Sequence, residues 1–157
     1  MERGVSNDRV IGGMSAACSA RTVQLCKIFV TGECVIASSP RVAEMAKLTE
    51  NGFRDVNIAF ANELSLICDA LKIDVWELIE LANRHPRVDI LQPGPGAGGH
   101  CIAVDPWFIV SSAPEQARLI RAAREVNDSK PGWVIEKVQA AIGEPRKNRK
   151  GRQVGDL

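Results

Sequence analysis

From Pro40 onward, apolar or small residues recur at positions 42, 45, 49, 53, 56, 60, 64, 67 and 71, in steps of three and four. Sustained for about eight turns, this spacing predicts one helix roughly 45 Å long, a spine longer than a single small core requires. Ser39 is placed to cap it, and Pro40 is tolerated in a first turn whose N–H groups lack helical partners anyway. Asp74 to Asn83 reads as a second helix, with Asp74 as N-cap and Glu77 completing a capping-box pattern. Ahead of the spine, Arg9 to Ile11 reads as a short strand running into Gly12-Gly13. Ser19 is a plausible N-cap for a helix carrying Val23, Leu25, Cys26, Phe29 and Val30 that ends near Gly32, and Glu33 to Ala37 is a second short strand. Between Arg84 and Pro106 the helical pattern gives way to Pro, Gly and His. Helices are expected to resume at Trp107 to Val110, Glu115 to Asn127 and Trp133 to Ile142, broken by Pro114 and by Lys130-Pro131-Gly132.

The chain has 157 residues, 45% hydrophobic and 25% charged, the profile of an ordinary globular domain. That length cannot hold a nicotinamide-binding domain, a substrate domain and a linker together. The net charge of +1 hides two regions: residues 146–157 carry five Lys and Arg (Arg146, Lys147, Arg149, Lys150, Arg152) against one acid, net +4. The remainder has 15 Lys and Arg against 18 Asp and Glu, net −3, which argues against a nucleic-acid face. The tail reads as a solvated, disordered end. No signal pattern and no apolar run approaching ~20 residues is present, so neither secretion nor membrane insertion is expected and the chain reads as cytoplasmic. Five cysteines (18, 26, 34, 68, 101) with no CxxC spacing predict neither a disulfide framework nor structural zinc.

The central loop, Pro93 to Pro106, carries the chemistry. Gly94, Gly96 and Gly99 satisfy GxGxxG, but prolines flank the first glycine and the third leads into His100-Cys101, a poor context for a dinucleotide turn. What the glycines offer is bare backbone, letting a ligand approach the Cys101 thiol. Cys18, Cys26 and Cys68 read as small buried hydrophobes. Cys101 reads as a nucleophile that needs a cationic neighbour or a helix N-terminus. Lys47, Asn51 and Arg54, spaced i, i+4 and i+7, share one face of the spine and suit an anionic, hydroxyl-rich ligand. Alternatively they form a solvated stripe, with Glu44, Glu50 and Asp55 as ion-pair partners. His85 and Arg87 open the loop, either as carboxylate or phosphate contacts or as helix-end groups. No ligand spacing supports a metal at His85, His100 and Cys101.

The segments AEMAKLTENGFRDVNIAFANELSLICDAL (43–71), NRHPRVDILQPGPGAGGHCIAVDPWFIV (83–110) and ARLIRAAREVND (117–128), with NDRVIGG (7–13), resemble the central region of the UDP-glucose/GDP-mannose dehydrogenases. Within these bacterial nucleotide-sugar 6-dehydrogenases, the likeness is greatest to the branch acting on UDP-N-acetyl-D-mannosamine. The resemblance implies a mainly α fold: a long spine helix in a helical dimerisation bundle of the 6-phosphogluconate-dehydrogenase-like type, after a short β/α remnant of a Rossmann domain. It divides the chain into an NAD-domain remnant at 1–38, a helical dimerisation and catalytic domain at 39–142 and the tail at 143–157. It also implies a four-electron oxidation of a sugar C6 alcohol to a carboxylate with two NAD⁺, yielding a UDP-N-acetylmannosaminuronate for surface polysaccharide. Carried onto this chain, Cys101 forms a thiohemiacetal and then a thioester that water hydrolyses. Lys47 serves the C6 oxygen, and Asn51 and Asp105 hold a water or oxyanion. Arg54, His85, Arg87 and the backbone at Gly98 contact the UDP-sugar, His85 and Arg87 from the other subunit of a homodimer. Other readings are a non-catalytic dimerisation module and a dehydrogenase for a related UDP-hexose or UDP-N-acetylhexosamine.

The NAD-binding fingerprint and the family's nucleotide-gripping C-terminal domain have no counterpart in these residues. The isolated chain is therefore expected to be inactive or nearly so. Incubated with NAD⁺ and the UDP-sugar it should form no NADH, and turnover that Cys101→Ser abolishes would defeat the expectation.

Overall fold

A computed structural model of the chain describes residues 3–143; residues 144–157 of the basic tail lie outside them. In chain order the elements are α1 (Arg3–Ser6), β1 (Arg9–Ile11), α2 (Ala16–Cys26), β2 (Cys34–Ile36), α3 (Pro40–Leu71), α4 (Val75–Ala82), α5 (Cys101–Ser112) and α6 (Arg118–Ala141). The fold is mainly α: a spine helix with α5 and α6 packed on it, preceded by a small β/α unit. No helix among the described residues is long and apolar enough to cross a membrane.

β1 and β2 pair in parallel, Arg9 opposite Cys34 and Ile11 opposite Ile36, with α2 as the crossover that a parallel pair demands. The cap of α2 is Ser15, not Ser19: Ser15 is extended and its Oγ accepts from the Cys18 N–H at 3.3 Å. Ser19 lies inside the helix, buried, and its Oγ accepts the Gly13 N–H at 3.1 Å. The helix also stops at Cys26, short of Phe29 and Val30. Gly12 ties this unit to the spine, because a Cβ there would lie 2.7 Å from the Ser39 carbonyl oxygen and 2.8 Å from the Ala43 Cβ. Of the three cysteines read as buried hydrophobes, only Cys68 is buried; Cys26 is half-buried and Cys18 exposed. Cys18 sits in the open first turn of α2, facing Ser15.

The spine runs as expected, 32 residues capped by the Ser39 hydroxyl on the Val42 N–H, about 48 Å long. Which face it turns inward is the surprise. Phe53, Phe60, Ile67 and Leu71 of the apolar stripe are 69%, 51%, 46% and 63% exposed, so the stripe does not serve this chain's own core. The inward face is small and polar: Asn51, Gly52, Asp55, Ala59, Asn62, Ser65 and Cys68. It meets a matching polar face of α6. The Arg124 Nη1 donates to Asp55 Oδ1 at 2.6 Å, and its other terminal nitrogen bonds Asp128. Asn127 Nδ2 donates to the Asp55 carbonyl (3.1 Å) and to its Oδ1 (2.8 Å). Asn62 Nδ2 donates to Asn127 Oδ1 at 2.9 Å, and Lys130 donates to Ser65 Oγ with its ammonium 3.8 Å from the Trp133 ring centre. Burial pushes the Asp55 carboxyl above its ordinary 3.8, against the pull of Asn127 and Arg124, and pushes the Lys130 ammonium below 10.5.

The predicted break at Pro114 separates α5 from α6, the one at Lys130-Pro131-Gly132 is absent, and one helix opens earlier than expected. α6 passes straight through Pro131, and α5 begins at Cys101, six residues before the expected Trp107, with Pro106 inside it. An internal proline costs a helix about 3 kcal/mol or more through one lost bond and ring crowding. Tertiary anchors offset that cost: Asn127 and Lys130 clamp α6 to the spine on the N-terminal side of Pro131, and Asp105 beside Pro106 is bonded to Asn51.

Arg124→Met would leave the Asp55 carboxylate buried without its cation. A loss of about 3–5 kcal/mol is expected in urea unfolding, against little change for Lys47→Met, whose exposed partner is Glu50.

Candidate active site

Lys47 and Asn51 stand one turn apart on the spine, while Cys101 and Asp105 stand one turn apart on α5. A single bond joins the two pairs: Asn51 Nδ2 donates to Asp105 Oδ2 at 2.6 Å. Asn51 is only 2% exposed and Asp105 half-buried, so the donor end of this bond is shielded from water, and the bond fixes where α5 crosses the spine. Gly52 beside it admits Ile109 of α5, whose Cδ1 would lie 3.7 Å from a Cβ at that position.

Cys101 is the first residue of α5 and is exposed. His100, in the cap position, has φ −84° and ψ −48° and makes no side-chain cap bond. The first N–H groups of α5 therefore receive no side-chain cap from His100 and point off the start of the helix that carries the thiol, an end that favours negative charge. This is the helix N-terminus that a nucleophilic thiol needs, and sequence reading missed it because the Pro-, Gly- and His-rich stretch up to Pro106 carries no helical periodicity. The approach is open: Gly98 and Gly99 have no atom within 4 Å of a Cβ position, and Gly99 has φ +86°, a conformation other residues adopt only under strain. The helix half of a GxGxxG context is thus present, but no strand precedes it within residues 84–100.

Lys47 borders a cleft of about 570 Å³ between the spine and the start of β1, lined also by Asp8, Arg9, Ala43 and Glu50. Its ammonium lies 3.2 Å from Glu50 Oε2, with both side chains about 60% exposed, so the pair is weak and the ammonium is free to exchange partners. Of the solvated-stripe reading of this face, one part holds and one does not. Lys47 does pair with Glu50, but Asp55 turns inward to Arg124 rather than serving the surface.

Arg54 is exposed one turn beyond Asn51. His85 and Arg87 lie in the exposed turn after α4, where the Arg87 N–H donates to His85 Nδ1 at 3.3 Å. Sequence reading missed what shapes that turn: the Asn83 side chain donates to the Ile90 carbonyl (3.0 Å) and accepts its N–H (2.7 Å). No hydrogen bond or ion pair among the described residues links His85, Arg87 or Arg54 to the Lys47, Asn51, Asp105 and Cys101 group. Among the described residues no three His, Cys, Asp or Glu side chains come together as metal ligands.

Comparison with known proteins places this arrangement. The description "UDP-glucose/GDP-mannose dehydrogenase family, central domain" matches residues 41–129. The chain is 72% identical over 140 residues to the UDP-N-acetyl-D-mannosamine dehydrogenase of Escherichia coli (strain K12), covering 89% of this chain and 33% of that one. It is 66% identical over 137 residues to the NDP-N-acetyl-D-galactosaminuronic acid dehydrogenase of Ralstonia nicotianae, covering 87% and 32%. A solved structure of the UDP-N-acetyl-mannosamine dehydrogenase Cap5O from Staphylococcus aureus superposes with a TM-score of 0.79 at 50% identity, over 94% of this chain and 35% of that one. The chain spans about a third of the length of the relatives it matches. With the family's central-domain description covering more than half of its residues, the chain belongs to the UDP-glucose/GDP-mannose dehydrogenase family.

Proposed function

We propose that this chain is the helical, thiol-bearing part of a cytoplasmic nucleotide-sugar 6-dehydrogenase whose substrate is UDP-N-acetyl-D-mannosamine. The observation that carries the reading is the Asn51–Asp105 bond, which sets the turn bearing Lys47 against the turn opened by Cys101. The mannosamine sugar is favoured by the 72% identity to the Escherichia coli enzyme; the Ralstonia relative at 66% makes another UDP-N-acetylhexosamine the competing substrate.

In this reading the Cys101 thiolate adds to the C6 aldehyde carbon, and the carbonyl π pair moves onto oxygen. Lys47 and the free N–H groups of α5 oppose the charge on that oxygen. At the thioester stage, Asn51 and Asp105 hold the water that attacks the same carbon, and the thiolate departs as the carboxylate forms. Two hydrides must leave C6, and the family resemblance names NAD as their acceptor. The described residues do not fit that cofactor. β1 and β2 are a lone pair of strands, and Gly12 and Gly13 after β1 are packed against Ser39, Ala43 and Ser19 rather than open to a pyrophosphate. The steps assigned to this chain are accordingly those of the thiol and its neighbours, with residues 1–38 read as the closing piece of an NAD-binding domain and 39–142 as the central one.

Homodimerisation belongs to the same proposal. The outward stripe of Phe53, Phe60, Ile67 and Leu71 is an apolar helix face left exposed among the described residues, and a second copy laid along it would bury it. His85 and Arg87, distant in contact from the Cys101 group, would then serve the other protomer's UDP-sugar, with Arg54 and the Gly98 backbone contacting it from the same chain. The same stripe is what favours the second reading, a pairing module without catalysis.

A hybrid in which residues 40–141 replace the matching segment of the Escherichia coli relative tests the catalytic reading. NADH formation with UDP-N-acetyl-D-mannosamine is expected, with a loss of about 10³-fold or more on Cys101→Ser. A folded, dimeric but inert hybrid would favour the pairing module. For the dimer, sedimentation of this chain at micromolar concentration should give twice the protomer mass, and Phe53→Glu with Phe60→Glu should reduce it to the protomer; a monomeric unsubstituted chain would refute the pairing.

A further inference from the structure

The loop that delivers Cys101 is held to the spine at a point far from the thiol. The Gly94 N–H donates to Asn62 Oδ1 at 2.8 Å. An amide side chain can present either its oxygen or its nitrogen, and the neighbours decide which. Here the decision starts at Arg124. Its guanidinium fixes Asp55 as the acceptor, so Asn127 must turn its Nδ2 toward the Asp55 carbonyl and Oδ1. Asn127 Oδ1 is then left to face Asn62, which must answer with its own Nδ2, leaving Asn62 Oδ1 as the end that receives the loop. Asn62 is 0% and Asn127 1% exposed, so both amide side chains are shielded from water, and the Gly94 N–H that reaches Asn62 is itself half-buried. A second contact follows from Pro131. Lacking an N–H, it leaves the Asn127 carbonyl without its helical partner, and Gly96, at φ +138°, packs there so closely that a Cβ would lie 3.1 Å from that oxygen.

We infer that Asn62 is a positioning residue for Cys101, acting through the loop rather than on the substrate. Asn51 and Asn62 are eleven residues apart on one helix, which places them about three turns and ~16 Å apart on nearly the same face. One holds Asp105 and the other Gly94, so the segment bearing Gly98, Gly99 and Cys101 is strung between two fixed points of a rigid helix. The course of the loop up to the thiol then depends on the spacing of two buried asparagines. Its meaning for catalysis rests on the reading of Cys101 as nucleophile. The test below reads loop geometry and not turnover, so the two can fail separately.

Residue-resolved amide hydrogen exchange on this chain tests the inference. Asn62→Leu removes both amide functions at similar volume. Exchange at residues 94–99 should rise about tenfold relative to the amides of α3 and α6, which stay protected. Asn62→Asp adds a readout that a merely structural role would not move. When protonated, the introduced carboxyl can donate to Asn127 Oδ1 and accept from Gly94; when ionised, it sets an anion against Asn127 Oδ1. Corrected for intrinsic exchange, loop protection in Asn62→Asp should match the unsubstituted chain at pH 5 and fall about tenfold by pH 8. Loop exchange in Asn62→Leu within twofold of the unsubstituted chain would overturn the inference. So would an Asn62→Asp profile with no pH dependence beyond that of the unsubstituted chain, and this second variant decides the matter if Asn62→Leu fails to fold.

Discussion

A guanidinium and a carboxylate withdrawn from water together, Arg124 on Asp55, constrain everything that packs around them. Neither side chain tolerates burial alone, since desolvation of an unpaired charge costs several kcal/mol. Their 2.6 Å contact therefore sets the register of α6 along the spine and the depth to which the two helices approach. Asn127 and Asn62 extend the same line of bonds toward the central loop, and Lys130 with Ser65 continues it further along the two helices in the same direction. The pair is not fully satisfied: Asp55 Oδ2 and Arg124 Nε have no hydrogen-bond partner, so its value lies more in fixing one arrangement than in net stability.

The polar seam also explains why the hydrophobic stripe of the spine faces outward. A helix can turn only one face toward α5 and α6, and the face carrying Asp55, Asn62 and Ser65 occupies that place. Phe53, Phe60 and Ile67, spaced by seven, are left on the opposite side. Burying them requires another surface, which is the physical basis of the proposed second copy along the same helix. Under that proposal, stability of one protomer and pairing of two would draw on opposite faces of one element.

The candidate site inherits its geometry from the same helix. The Asn51–Asp105 bond sits one turn from Lys47 on α3 and one turn from Cys101 on α5, so one contact links the two elements that carry the four side chains. The free N–H groups at the start of α5 add an electrostatic partner that no side chain supplies. Prolines 106 and 131 interrupt helical hydrogen bonding where tertiary bonds hold the chain, and the second leaves a carbonyl against which Gly96 packs.

Local physics was legible in the sequence. The spine from Pro40 to Leu71, its Ser39 cap, the Asp74-capped α4, both short strands and the family all follow from periodicity, capping chemistry and motif, because each depends on residues within a few positions of one another. The types of residue in the candidate site, a thiol after bare glycines and an Lys–Asn pair on one helix face, were legible for the same reason. What the tertiary structure alone decided depends on partners 50 to 70 positions away: that Asn51, which the resemblance paired with Asp105 in role, donates to it directly, that Asp55 turns inward to Arg124, and that α5 opens at Cys101 despite Pro106. Periodicity marks an apolar face but not what covers it, and a proline's local cost says nothing of the distant bonds that offset it.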